Sequence, residues 1–257
     1  MAARQSTLEW AVKRDRQLAL GGLIAVIASC WAYLLVGAGM DMGNMSAVMG
    51  SGWTIRYFLL VLTMWWVMML AMMLPSAAPT ILLYAALARS GARDGQSVTP
   101  TGVFAAGYAI AWGVFSLAAT ALQWRLEESD LLDSMMQSTS VPLGAALLIG
   151  AGVYQLTPLK QACLRHCRSP IEFLGRRWQS GAVGALSMGI EHGLFCLGCC
   201  WVLMGLLFYA GVMNLVWIGV LALYVMLEKL APAGHWIGHF GGIALIIWGA
   251  TTALIHL

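Results

Sequence analysis

The sequence predicts an all-α protein, a polytopic transmembrane helix bundle of about seven spans. Three observations predict it. Of 257 residues, 60% are hydrophobic and only 10% are charged, where an ordinary soluble domain carries about 25% charged residues. Mean hydropathy is +0.79. The apolar residues also fall into seven runs near the length of about 20 residues that a bilayer demands of a helix. A soluble enzyme, a nucleic-acid binder and a disulfide scaffold are excluded by this composition.

The runs lie at roughly 18–37, 57–75, 101–123, 141–160, 192–211, 214–230 and 237–256. The first is too long for a signal peptide and no small-x-small cleavage site follows it, so it reads as an uncleaved anchor. Alternation of seven spans sorts the cations. Arg4, Lys13, Arg14, Arg16, Arg89, Arg93, Lys160, Arg165, Arg168, Arg176, Arg177 and Lys229 fall on one side, and only Arg56 and Arg125 on the other. The positive-inside rule then places the N-terminus in the cytoplasm and the C-terminus outside. The loop with Glu127, Glu128, Asp130 and Asp133 lies outside. Trp53 and Trp124 are expected near the outer interface, and Trp10, Trp178 and Trp236 near the inner one. Twenty-nine glycines suit close helix packing in lipid.

The whole chain, 1–257, reads as a single integral membrane domain of a bacterial cytoplasmic membrane. It has a short cytoplasmic arm at 1–17, a Met-rich outer loop at 38–56 and a cytoplasmic helical loop at 158–180. In that last loop Thr157-Pro158 reads as an N-cap followed by proline in the first turn. Ser169-Pro170-Ile171-Glu172 reads as a second start, with Glu172 placed to close a capping box. Two short helices, 158–168 and 170–178, are predicted there.

Three constellations carry the chemistry. The first is methionine: nine of sixteen fall between Met40 and Met73. Met40, Met42, Met45 and Met49 crowd the outer loop. Met64, Met68 and Met72 share one face of the second span, with Met69 and Met73 on the adjacent face. Thioethers are soft, neutral ligands suited to Cu(I); the structural alternative is that they fill gaps between helices. The second is Cys163-Leu-Arg-His166-Cys167, whose ligand-bearing positions i, i+3 and i+4 lie together on a helix and suit Zn(II) or Cu(I). The third is Glu191-His192-Gly193 through Cys196, Cys199 and Cys200. His192, Cys196 and Cys199 or Cys200 form a stripe on one helical face, and ionisable groups inside a membrane mark function. The second and third constellations are expected to meet at the inner face, where a reducing cytoplasm favours metal ligation over disulfides. His235 and His239, at i and i+4, either add ligands or form a polar helix end. A haem reading would pair one of them with His192, without any c-type attachment motif.

Three motifs in order resemble a known family. They are Met64-Trp65-Trp66-Val-Met68-Met69-Leu-Ala-Met72-Met73-Leu74-Pro75, then Tyr154-Gln155-Leu-Thr157-Pro158-Leu-Lys160 with Cys163-Leu-Arg-His166-Cys167-Arg168-Ser169-Pro170, then Glu191-His192-Gly193 through Cys199-Cys200-Trp201. Over roughly 57–230 the chain resembles the prokaryotic family of predicted metal-binding integral membrane proteins, a domain of unknown function. That resemblance implies metal sites at the Met and Cys/His clusters.

The expected function is binding of a soft transition metal, Cu(I) first and zinc second. The metal would be transferred across the membrane or delivered to a membrane cuproenzyme. The expected metal residues are Cys163, His166, Cys167, Glu191, His192, Cys196, Cys199, Cys200, Met40, Met42, Met45, Met64, Met68 and Met72. The partners are membrane lipid, a membrane cuproenzyme or a larger membrane complex, and no nucleic acid. Two other readings are a structural subunit of such a complex and a membrane thiol or haem redox enzyme.

Overall fold

The computed structural model describes residues 2–38, 53–93, 101–132 and 136–255. Ten helices occur among them: α1 (Ala2–Leu35), α2 (Ile55–Arg93), α3 (Thr101–Glu128), α4 (Val141–Leu156), α5 (Pro158–Arg168), α6 (Pro170–Arg177), α7 (Gly181–Gly205), α8 (Leu207–Ala210), α9 (Leu215–Leu230) and α10 (Gly234–Ile255). The only other pairing among the described residues is an isolated antiparallel bridge between Leu132 and Ser138. The all-α class holds.

Five segments are long and apolar enough to cross a membrane: Gln17–Leu35, Ile55–Arg89, Thr101–Glu128, Gly181–Ala210 and Gly234–Ile255. A sixth forms if α4 and α5, bent by 65° at Thr157, count as one broken span. α9 occupies the predicted 214–230 run as a helix of 16 residues. Leu18, Ile24, Val114, Val220, Ile247 and other large apolar side chains point outward along these helices, as lipid-facing positions must.

Three helices run well beyond their predicted spans. α1 begins at Ala2, within the predicted arm, sixteen residues ahead of the apolar run. α2 does not stop at Pro75 but continues through Pro75 and Pro79 to Arg93. Prolines are tolerated inside membrane helices where neighbouring hydroxyls replace lost backbone bonds. The carbonyls that these prolines leave without an N–H partner are those of Ala71 and Pro75; beside them, the hydroxyls of Ser76 and Tyr108 bond the Met73 carbonyl, at 2.9 and 3.3 Å. α7 begins at Gly181, eleven residues before His192. Its glycine-rich first half buries one face through Gly184, Ala185, Met188 and Gly189 and leaves Val183 on the other exposed. Arg177 of α6 pairs with Glu191 at 2.9 Å, and the rings of Phe104 and Phe173 flank His192.

The bundle is organised by two crossings, α3 on α7 and α4 on α10, with α1 leaning on α2. Glycine sets the first. A Cβ on Gly189 would stand 2.1 Å from the Phe104 carbonyl oxygen, and one on Gly107 would stand 2.3 Å from that of Leu186. Only bare backbone allows α3 and α7 this close.

The helical loop forms as predicted, with one correction. The Thr157 hydroxyl accepts from Lys160 N at 3.3 Å, capping α5. Ser169 makes no side-chain cap at α6, so the capping box is not formed. Glu172 reaches down its own helix to Arg176 instead, at 3.1 Å.

The two ends of the bundle differ. At one end Trp53 lies 6.1 Å from Trp124, and a chain of hydrogen bonds links Trp65, Gln123, Glu127 and Tyr57. At the other, Lys160 and Glu228 form a fully buried ion pair. Arg168 crosses from α5 to bond the carbonyls of Glu228, Ala231 and Pro232 at 2.8–2.9 Å. A cation on the last carbonyls of α9 satisfies them and complements the helix dipole.

Candidate metal centre

The third constellation lies inside the protein. Cys196, Cys199 and Cys200 are each 1% exposed. Positions i, i+3 and i+4 turn all three thiols toward one side of α7. The thiols of Cys199 and Cys200 donate back to the Cys196 carbonyl at 3.0 and 2.9 Å. Such back-bonding satisfies a thiol weakly, so these sulfurs are held in place without being committed elsewhere.

Three elements close over them. From α2, the Met73 sulfur lies 3.8 Å from the Cys200 sulfur. From α3, the Tyr108 hydroxyl lies 3.0 Å from the Cys196 sulfur. From α9, the Lys229 ammonium donates to that sulfur at 2.9 Å and to the Ser76 hydroxyl at 3.2 Å. Cys167 of α5 packs against the buried core that holds these thiols. Cys163 packs against the backbone of α7, where a Cβ on Gly198 would meet its sulfur at 2.8 Å. Gly198 therefore makes room for Cys163, and the Tyr154 hydroxyl bonds the Gly198 carbonyl beside it.

The second and third constellations thus meet through Cys167 and Cys163. His166 takes another direction. It is exposed, stacks on Phe195 with ring centroids 4.0 Å apart, and places Nδ1 3.0 Å from the Ala162 carbonyl. It lines a surface cavity of about 580 Å³ with Arg165, Arg176 and Arg177. Glu191 is drawn off by Arg177. His192 is buried one turn before Cys196, ringed by Phe104, Tyr108 and Phe173, and its Nδ1 has no hydrogen-bond partner. His235 and His239, which a haem reading would pair with His192, lie at the exposed start of α10, with His239 Nδ1 2.7 Å from the His235 carbonyl.

Met64, Met68, Met69, Met72 and Met73 are all fully buried in the core. The predicted stripe therefore faces protein rather than lipid. Its join to the thiols is made from the adjacent face, by Met73. Met40, Met42, Met45 and Met49 lie outside the described residues.

Among the described residues no three His, Cys, Asp or Glu side chains stand together in an arrangement that could hold a metal ion. What the helices bring toward one another without forming a closed cage is mostly sulfur, from Cys196, Cys199, Cys200 and Met73 with Cys167 of α5, and the unpartnered His192 nitrogen lies one turn away on α7. Thioether and thiol donors fit a soft monovalent ion that accepts low coordination numbers. Thiol and imidazole donors are also ligands of zinc, so donor type alone does not separate the two ions. In kind the donors suit Cu(I).

Four residues of this site escape sequence reasoning: Lys229, Tyr108, Ser76 and Met73 as the bridging thioether. Lys229 reads in sequence as an interfacial lysine ending an apolar run. Its neighbour Glu228 is the signal: an acid and a base side by side at the end of a span need buried partners.

No curated protein and no solved structure matches this chain. The profile of the copper chaperone family PpoB2 does, over residues 62–252. That stretch contains the methionines of α2, the cysteines of α5 and α7, and Lys229, and by it the chain belongs to the PpoB2 copper chaperone family.

Proposed function

We propose that this protein binds Cu(I) as cargo at the α7 thiol cluster and passes it within the membrane, to the inner face or to a membrane cuproenzyme. One observation carries the reading: the 3.8 Å contact of Met73 with Cys200 joins the methionine-lined core of α2 to buried thiols. Met40, Met42 and Met45 would capture the ion. Met64, Met68, Met72 and Met73 would conduct it. Cys200, Cys199, Cys196 and Cys167 would receive it. Thiolates hold Cu(I) more tightly than thioethers, so the donor gradient runs toward the thiols.

The direction follows from orientation. With the Arg168, Arg177 and Lys229 end facing the cytoplasm, the thiols are the inner station and the Met-rich loop the outer one. Cys163, half-buried like Cys167, touches Gly198 of α7. It is a thiol placed for hand-off to an acceptor. The protein is read as one integral membrane domain of a bacterial cytoplasmic membrane.

Elemental analysis tests the binding. Full-length protein loaded with Cu(I) under reducing conditions and then dialysed against a Cu(I) chelator should retain copper. The Cys196→Ser/Cys199→Ser/Cys200→Ser variant should lose at least ten-fold of it. Equal retention by both would overturn the assignment of the cluster.

A further inference from the structure

Lys229 is 5% exposed, and its ammonium is directed at a thiol rather than at a carboxylate. The adjacent acid, Glu228, is engaged with Lys160. A buried ammonium without a counter-charge is strongly disfavoured. Its hydrogen-bond partners are the Cys196 sulfur at 2.9 Å and the Ser76 hydroxyl at 3.2 Å, so a polarizable sulfur stands where a carboxylate would be expected. A fixed positive charge thus forms one wall of the proposed cargo site.

Donor chemistry alone does not make this site choose. Thiolate and imidazole accept Zn(II) as well as Cu(I). Charge does separate them, because a fixed cation repels a divalent ion twice as strongly as a monovalent one in the same place. We propose that Lys229 is a charge filter, a specificity-determining residue that confines the Cys196–Cys199–Cys200–Met73 cluster to a monovalent soft ion and rejects divalent zinc. The inference rests on the reading of this cluster as the Cu(I) site. It adds a reason why the family's cargo is copper and not the more abundant thiophilic ion. Ser76 gives the ammonium a second partner, its hydroxyl accepting at 3.2 Å.

The test compares affinities in the full-length protein in detergent, under reducing conditions. Cu(I) is presented from a chromogenic chelator buffer and Zn(II) from a zinc indicator buffer. Removing one unit charge at contact range in a partly buried site should lower the Cu(I):Zn(II) affinity ratio by roughly two to three orders of magnitude. That fall is expected for Lys229→Met and for Lys229→Gln, which keeps a donor for Ser76 should the methionine variant not fold. Lys229→Arg keeps the charge and should hold the wild-type ratio within about five-fold. A folded neutral variant whose ratio stays within five-fold of wild type overturns the filter. So does a wild type that takes up Zn(II) as tightly as Cu(I), whatever the variants do. A wild type that takes up no Cu(I) strikes the cargo reading itself, a distinct result.

Discussion

At the residue scale the molecule concentrates its charge where lipid proteins least tolerate it. Lys160 is 0% exposed, Glu228 1% and Lys229 5%, all within one knot at the end of α9. A buried ion pair contributes little net stability against an apolar substitute, but breaking it strands a charge. Lys160→Met should therefore cost about 3–5 kcal/mol, read as a lower unfolding midpoint in detergent. The double variant Lys160→Met/Glu228→Met should recover most of that loss, because no orphaned carboxylate remains. Losses that simply add would show that the two side chains act independently. The pair also fixes the site indirectly. Glu228 precedes Lys229, so the turn of α9 that Lys160 and Arg168 anchor is the turn that sets the ammonium on Cys196.

At the element scale, the cluster exists because α3 and α7 lie almost backbone to backbone. Tyr108 is one residue from Gly107, and Cys196 is two turns from Gly189, so the crossing point sets their 3.0 Å contact. Gly189→Ala should push the helices apart, costing roughly 1–3 kcal/mol as overpacking does. It should also weaken Cu(I) retention without touching a donor. Unchanged copper retention with lowered stability would mean that the cluster tolerates a wider crossing. How far sequence reaches is clearest at this scale. The apolar runs locate the helices because lipid imposes a length and a polarity on each. The ends are less legible, since α1 starts within a charged arm, α2 passes two prolines and α7 starts eleven residues ahead of its predicted span. Likewise the Cys-x-x-Cys-Cys spacing shows that three thiols share a face. It cannot show that His166 would leave the cluster for Phe195, because an i, i+3, i+4 face is broad enough for two side chains to turn inward and one outward. Lys229 was hidden for the opposite reason, as its sequence context is that of an ordinary interfacial cation.

At the scale of the whole molecule, the direction of the proposed transfer depends on which end of the bundle faces the cytoplasm, and α9 decides whether the chain crosses the bilayer six or seven times. Its 16 residues rise about 24 Å, somewhat short of a hydrocarbon core about 30 Å thick. Three features favour a full crossing. Asn214 caps its start, accepting from Trp217 N at 3.1 Å, so the first turn needs no water. Arg168 satisfies the carbonyls at its end. Short spans are accommodated by local bilayer thinning at modest cost. If α9 crosses, with α4 and α5 as one broken span, the chain crosses seven times and its termini lie on opposite sides. If it does not, the count is six and both termini share the cytoplasm. Topology reporters separate the two. Alkaline phosphatase fused after Ser129 or after Leu257 should be active, and fused after Arg93 or after Trp178 inactive, with a fluorescent protein at the N-terminus bright. An inactive fusion at Leu257 alone would remove α9 as a span and leave the thiols at the inner face. Reversal at every site would turn the thiol cluster outward, so that the thioether-to-thiolate gradient would run toward export.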